Sequence, residues 1–130
     1  MGWTLTWAGR PDEAIEYLNK AIRLNPFPPF YYNEGMGLAY LIKGNYEKAI
    51  TELKKALQLA PMSPPIHVKL SVAYSLLGRE EEARASTEKA LELAPFISAS
   101  LVAKTAPYKN QNDLGLFLSG MRKAGFPEGG

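Results

Sequence analysis

Along residues 30–61 apolar positions recur at helical spacing in two blocks divided by a polar break. In the first block, Tyr31 to Lys43, the apolar residues Met36, Ala39, Tyr40 and Ile42 have Leu38 and Leu41 between them. An apolar pattern this wide predicts a helix buried on more than one side. Gly44 follows and suits the left-handed position after a helix end. Asn45 can cap the next helix, and Glu47 places a carboxylate in its first turn. That helix gathers Tyr46, Ala49, Ile50, Leu53, Ala56 and Leu57 on one face, and Pro61 prevents its continuation.

The same pattern recurs. Gly9, Gly44 and Gly78 stand 35 and 34 residues apart, as do Pro26, Pro61 and Pro95. Ala14, Ala49 and Ala83 keep that register, and so do Ala21, Ala56 and Ala90. The one-residue excess falls in Phe27-Pro28-Pro29, a loop between units, where an insertion is tolerated. A fixed period with this content predicts an all-α helical solenoid. Gly37 and Ser71, facing Ala49 and Ala83, supply the small side chains that let the two helices of a hairpin cross closely.

The series Gly37, Tyr40, Gly44, Tyr46, Ala49, Leu53, Ala56, Pro61 resembles the tetratricopeptide repeat, and the resemblance covers residues 1–97. It implies a right-handed superhelical solenoid with a truncated first unit at 1–29, a second at 30–63 and a third at 64–97. Residues 98–130 are then a capping helix pair and tail. Some positions depart from the family pattern. Asn33 and His67 occupy slots that often hold Trp, and Pro11 and Glu80 replace an aromatic residue. Thr87 replaces a large apolar residue, so the third unit is expected to pack less tightly.

The remaining segments fit around this frame. Residues 1–8 read as the tail of a helix that lacks about six residues at its start, so the chain is expected to be part of a longer one. Trp3, Leu5 and Trp7 then either pack on the following helices or seek a partner. Pro11 to Asn25 is the next helix. Pro64 to Leu77 and Glu80 to Leu93 form the third hairpin, with Glu80, Glu81 and Glu82 complementing the latter's positive end. A short helix is expected over Ile97 to Ala106 and an amphipathic one over Asp113 to Lys123, capped by Asn112. A solenoid needs such a terminal cap, because its last repeat otherwise exposes an apolar face.

The ending also resembles the close of bacterial proteins in which tetratricopeptide repeats follow a class III adenylate/guanylate cyclase domain. The matching residues are Pro107, Tyr108, Lys109 and Gly120 through Glu128. Trp3, Trp7, Ala8, Gly9 and Arg10 look similar to the preceding repeat of such chains. The resemblance implies a regulatory C-terminal region; no cyclase site residue falls within this sequence.

Composition narrows the function classes. The chain has 130 residues, is 46% apolar and carries 15 basic against 13 acidic residues, for a net charge of +2. That balance gives no nucleic-acid footprint. No apolar run reaches membrane-spanning length and no signal peptide is visible, so a cytoplasmic protein without a membrane partner is expected. With no cysteine there is neither a disulfide nor a thiol nucleophile. His67 is the sole histidine and lacks the cluster a metal or a catalytic triad requires. No phosphate-binding glycine loop occurs. The expectation is a non-enzyme with no catalytic residue, cofactor or metal.

Binding is the reading that remains. In the family resembled, the first helix of each hairpin lines a concave groove. The groove candidates are therefore Trp3, Thr6 and Trp7; then Tyr31, Glu34, Leu38, Leu41 and Ile42; then Pro65, Val68, Val72, Ser75 and Leu76. Family members that bind chaperone C-termini place Lys and Asn where this chain has Glu34, Leu38, Val68 and Val72. A peptide carboxylate would meet no cation there and one like charge. The expected ligand is an apolar peptide or helix of a protein partner. The alternative is homo-oligomerisation through the N-terminal hairpin or the groove.

Overall fold

The computed structural model describes residues 10–25, 27, 29–106 and 111–129. The expected first helix, with Trp3, Thr6 and Trp7, lies outside the described residues, as does the Pro107–Asn110 turn. Among the described residues there are seven helices and no strand: α1 Pro11–Leu24, α2 Phe30–Lys43, α3 Tyr46–Leu59, α4 Pro64–Leu77, α5 Glu80–Leu93, α6 Ala99–Thr105 and α7 Gln111–Ala124. Each of α1 to α5 packs on its sequence neighbour, α4 also reaches back to α2, and α7 packs chiefly on α4. This is a helical solenoid closed by a helix pair.

The turns follow from local chemistry. Gly44 and Gly78 both sit at φ 88°, the left-handed conformation that a side chain disfavours. Each closes its helix by donating to a carbonyl three residues back, Gly44 to Leu41 at 3.0 Å and Gly78 to Ser75 at 3.2 Å. The next residue donates further back, Asn45 to Tyr40 and Arg79 to Tyr74, both at 2.9 Å. Asn45 caps α3 by accepting from the Lys48 amide. At the matching position Arg79 makes no such bond; its guanidinium grips Glu82 at 2.6 and 2.7 Å and lies over the Tyr74 ring. Glu80, Glu81 and Glu82 are exposed in the first turn of α5.

Close crossings build the core. A Cβ on Gly37 would stand 2.5 Å from Leu53 Cγ and 3.3 Å from the Ala49 carbonyl oxygen, so α2 and α3 approach closely at that point. In the third hairpin Ser71 takes this place, and its hydroxyl lies 3.2 Å from the Ala83 carbonyl. Ala14, Ala49, Ala56, Ala83 and Ala90 are all buried. His67 is buried too, and its Nε2 lies 2.9 Å from the Pro61 carbonyl, which ties the head of α4 to the preceding loop.

Thr87 does not loosen the third unit. It is buried, with its hydroxyl 2.5 Å from Ser71 Oγ and 3.0 Å from the carbonyl of Ala124, the last residue of α7. The Ser71 and Thr87 hydroxyls share their two protons between each other and the carbonyls of Ala83 and Ala124, a buried cluster that ties the α4–α5 crossing to the end of α7. Two expected boundaries also shift. α6 starts at Ala99 because Ser98 caps it, accepting from Leu101 N at 3.1 Å. α7 starts at Gln111, which places Asn112 inside its first turn.

The tail completes the cap. Gly125, at φ 99°, turns the chain after α7, and Phe126 buries its ring. The carbonyls of Pro127 and Glu128 accept from the Ala99 and Ser100 amides at 2.9 and 2.8 Å, which are otherwise open donors at the start of α6. Arg122 holds Glu128 through two hydrogen bonds, and this keeps the Glu128 carboxyl below its ordinary range. Burial pushes the Asp113 carboxyl up.

The crossing geometry sets an expected cost. Ala49 is fully buried, so Ala49→Leu overpacks the α2–α3 crossing and lowers stability by about 1–3 kcal/mol. Urea or thermal unfolding followed by circular dichroism measures it, and unchanged stability would refute this register.

Candidate functional site

The faces of α2 and α4 that the repeat pattern assigns to the groove have three different environments. Leu41 and Val72 are fully buried within the helix packing. Val72, Ser75 and Leu76 lie against α7. A Cβ on Gly120 would stand 2.6 Å from Val72 Cγ1 and 3.4 Å from Leu76 Cγ, and the Ser75 hydroxyl donates to the Gly120 carbonyl at 2.9 Å. Gly120 thus lets α7 settle directly onto the upper half of α4. Tyr31 is exposed and contacts the Phe30 and Tyr32 rings edge-on, while Ile42 is half-buried.

Leu38, Pro65 and Val68 come together elsewhere. They line an apolar cavity of about 360 Å³, with Ile97, Leu101, Val102 and Phe117 on the opposite side. Two of its walls are therefore groove faces of α2 and α4, and the others come from α6, α7 and the segment leading into α6. A cavity of this size falls within the range of sites that take small apolar groups. Leu38 is itself buried to 1% exposure, so a charge placed there tests folding before it tests binding.

Electrostatics at the cavity differ from the sequence expectation. Glu34 is not a lone carboxylate facing the groove. Lys69 Nζ, on the next repeat, lies 2.8 Å from Glu34 Oε2, and their side chains are only 13% (Lys69) and 8% (Glu34) exposed. Among the described lining residues Lys69 alone carries a charge, and it is matched in place. The wall is thus neutral in sum without being free of cations. The pair spans 35 residues, one more than the 34-residue step between these two units, so Lys69 stands one place beyond Val68, the repeat equivalent of Glu34, and the period alone does not expose it. Elsewhere, Asn33, in a slot that often holds Trp, donates to Glu52 at 2.9 Å across the second hairpin.

The sequence predicts a capping helix pair, but not which of its residues face the cavity. Leu101, Val102 and Phe117 belong to segments with no repeat register, and only the folded cap brings them over α2 and α4. No group of three or more His, Cys, Asp or Glu able to hold a metal occurs among the described residues. Among the same residues no helix is long and apolar enough to cross a membrane.

The buried pair gives a sharp test. Lys69→Ala leaves the Glu34 charge buried without its lysine and should cost about 3–5 kcal/mol, as should Glu34→Ala. Combining the two, Glu34→Ala with Lys69→Ala, should cost clearly less than the sum of the single losses. Denaturant titration of the four proteins measures the coupling; additive losses would show that the two residues do not act as a pair.

Comparison with known proteins agrees with this architecture. A family model described as TPR repeat matches residues 37–78, and one described as tetratricopeptide repeat matches residues 1–28 and 64–96. No curated protein matches significantly. Among solved structures, the crystal structure of MamA superposes with a TM-score of 0.70 at 23% identity, covering 95% of this chain and 71% of that one. A second, MamA MSR-1 C2, gives a TM-score of 0.63 at 27% identity, covering 95% and 70%. The likeness to MamA is one of fold. The repeat models between them span more than half of the sequence, in the register that the glycines and prolines set, and the chain belongs to the tetratricopeptide repeat family.

Proposed function

We propose that this chain is a non-catalytic protein–protein interaction module that takes an apolar peptide segment or helix against α2 and α4. The observation that carries this reading is the cavity walled by Leu38, Pro65 and Val68, whose one charged lining residue is already neutralised by Glu34. An apolar side chain entering it displaces water from carbon surface. An acidic group entering it would compete with Glu34 for Lys69. The repeat family supports a scaffold role of this kind.

A place as the regulatory end of a cyclase-type protein rests on sequence resemblance alone, that of Pro107 to Glu128 and of Trp3, Trp7, Ala8, Gly9 and Arg10. The last residues have structural work within this chain: Gly120 admits α7 to Val72, Arg122 pairs with Glu128, Gly125 turns the chain and Phe126 fills the core. Packing of the cap is sufficient reason for each of them.

The test compares two labelled peptides by fluorescence anisotropy. One is an amphipathic helix with Leu at i, i+3, i+4 and i+7; the other is an extended peptide ending in acidic residues and a free carboxylate. The leucine peptide should bind, and Leu101→Asp, at the exposed edge of the cavity, should weaken it roughly tenfold, about 1.4 kcal/mol, with helical content unchanged. Micromolar binding of the acidic peptide, or indifference to Leu101→Asp, would overturn the reading.

A further inference from the structure

A second apolar feature runs along the turns between repeats and meets the cavity at Phe96. Phe27, Met62 and Phe96 each follow a repeat proline by one residue and so share one repeat position. All three are exposed, at 88%, 62% and 73%. Leu24 and Leu59, three residues earlier, also share a position and are 83% and 62% exposed. Equivalent positions of stacked repeats lie side by side along a solenoid, so these five side chains form a row on one edge. A single exposed leucine is ordinary; the same slot left apolar and solvated in successive repeats is a pattern. Side chains this exposed present on the order of 600–700 Å² together, near the ~800 Å² per partner of a standard interface.

Two properties of the row identify its occupant. First, it reads aromatic, methionine, aromatic, and so is the same in both directions. A two-fold axis at Met62 places Phe27 against Phe96 of a second copy and Met62 against its own equivalent, which is the self-complementarity an isologous contact demands. Second, the residue before each row leucine position runs Arg23, Gln58, Glu92, that is basic, neutral, acidic, and all three are exposed. The antiparallel alignment sets Arg23 opposite Glu92 of the second copy at both ends and Gln58 opposite itself. A parallel alignment would set like charge on like charge. An anionic lipid surface fits less well, because Glu88 and Glu92, both exposed, stand at one end of the row.

We infer that this edge is the interface of an antiparallel two-fold homodimer centred on Met62. Phe96 also lines the cavity over Leu38 and Val68, so the dimer edge and the proposed peptide site adjoin at that residue. Sedimentation equilibrium over a hundredfold concentration range tests the dimer. The chain should show a concentration-dependent dimer. Met62→Asp, in an exposed turn, should give a monomer with unchanged circular dichroism, because it sets two carboxylates on the axis. Arg23→Glu should weaken the dimer roughly three- to tenfold, and adding Glu92→Arg should restore it. A monomer throughout, a dimer that survives Met62→Asp, or failure of the charge swap to restore association would overturn the proposal. So would a dimer lost in Trp3→Ala or Trp7→Ala and indifferent to Met62→Asp, which would place the contact at the N-terminal segment.

Discussion

The solenoid depends on how closely the two helices of each hairpin can approach. Helices of 14 residues carry few core side chains, so the apolar faces must meet without a gap. At the α2–α3 crossing the space belongs to Leu53 and the Ala49 backbone, and Gly37 concedes it. At the α4–α5 crossing the equivalent residue is Ser71, one atom group larger. Its hydroxyl needs a partner once buried, and Thr87 and the Ala83 carbonyl provide one. Thr87 in turn reaches the end of α7. The change from Gly to Ser in one repeat is thus linked to how the whole array is terminated.

That linkage explains why the last unit departs from the others. A repeat that stacks on a further repeat can bury a large apolar residue at the Thr87 position. Here the neighbour is the carbonyl end of α7, whose final C=O groups lack helical partners. A hydroxyl suits that neighbour better than a methyl group would. On the adjoining face the Ser75 hydroxyl bonds to the Gly120 carbonyl inside α7 and helps to seat that helix. The tail then returns the favour to α6, offering the Pro127 and Glu128 carbonyls to its first amides. The cap is held by apolar burial of Phe117, Met121 and Phe126 and is oriented by these bonds.

What could be read from the chain and what could not divides along sequence distance. Gly44 and Gly78 announced their turns because the left-handed conformation is a local demand. Asn45 announced its cap for the same reason. The buried alanines kept a period that fixed helix pairing. The groove set was legible only as a face. Which members of that face remain open depends on where α7 lies, 44 to 48 residues further along from Val72 and Leu76 to Gly120. Thr87 read as a packing defect because its partner, Ala124, is 37 residues away. Glu34 read as an unmatched charge because its partner sits on the following repeat, where side-chain direction decides whether two positions meet.

The same periodicity distributes apolar surface in two directions. Positions on the first helix of each unit turn inward, where α6 and α7 cover part of them and leave a cavity over Leu38 and Val68. Positions at the unit boundaries turn outward, where Phe27, Met62 and Phe96 stand in solvent. The inward set varies from unit to unit, Glu34 against Val68 and Leu38 against Val72, as expected of a surface shaped for one ligand or one cap. The outward set keeps its chemistry, apolar at every boundary, while the flanking charge changes sign from Arg23 to Glu92. A helix end needs no large apolar residue for its own stability; Gly, Asn and polar residues serve it better. Retention of Leu, Phe and Met at these ends is therefore a cost to the isolated monomer, and association along that edge is the process that offsets it.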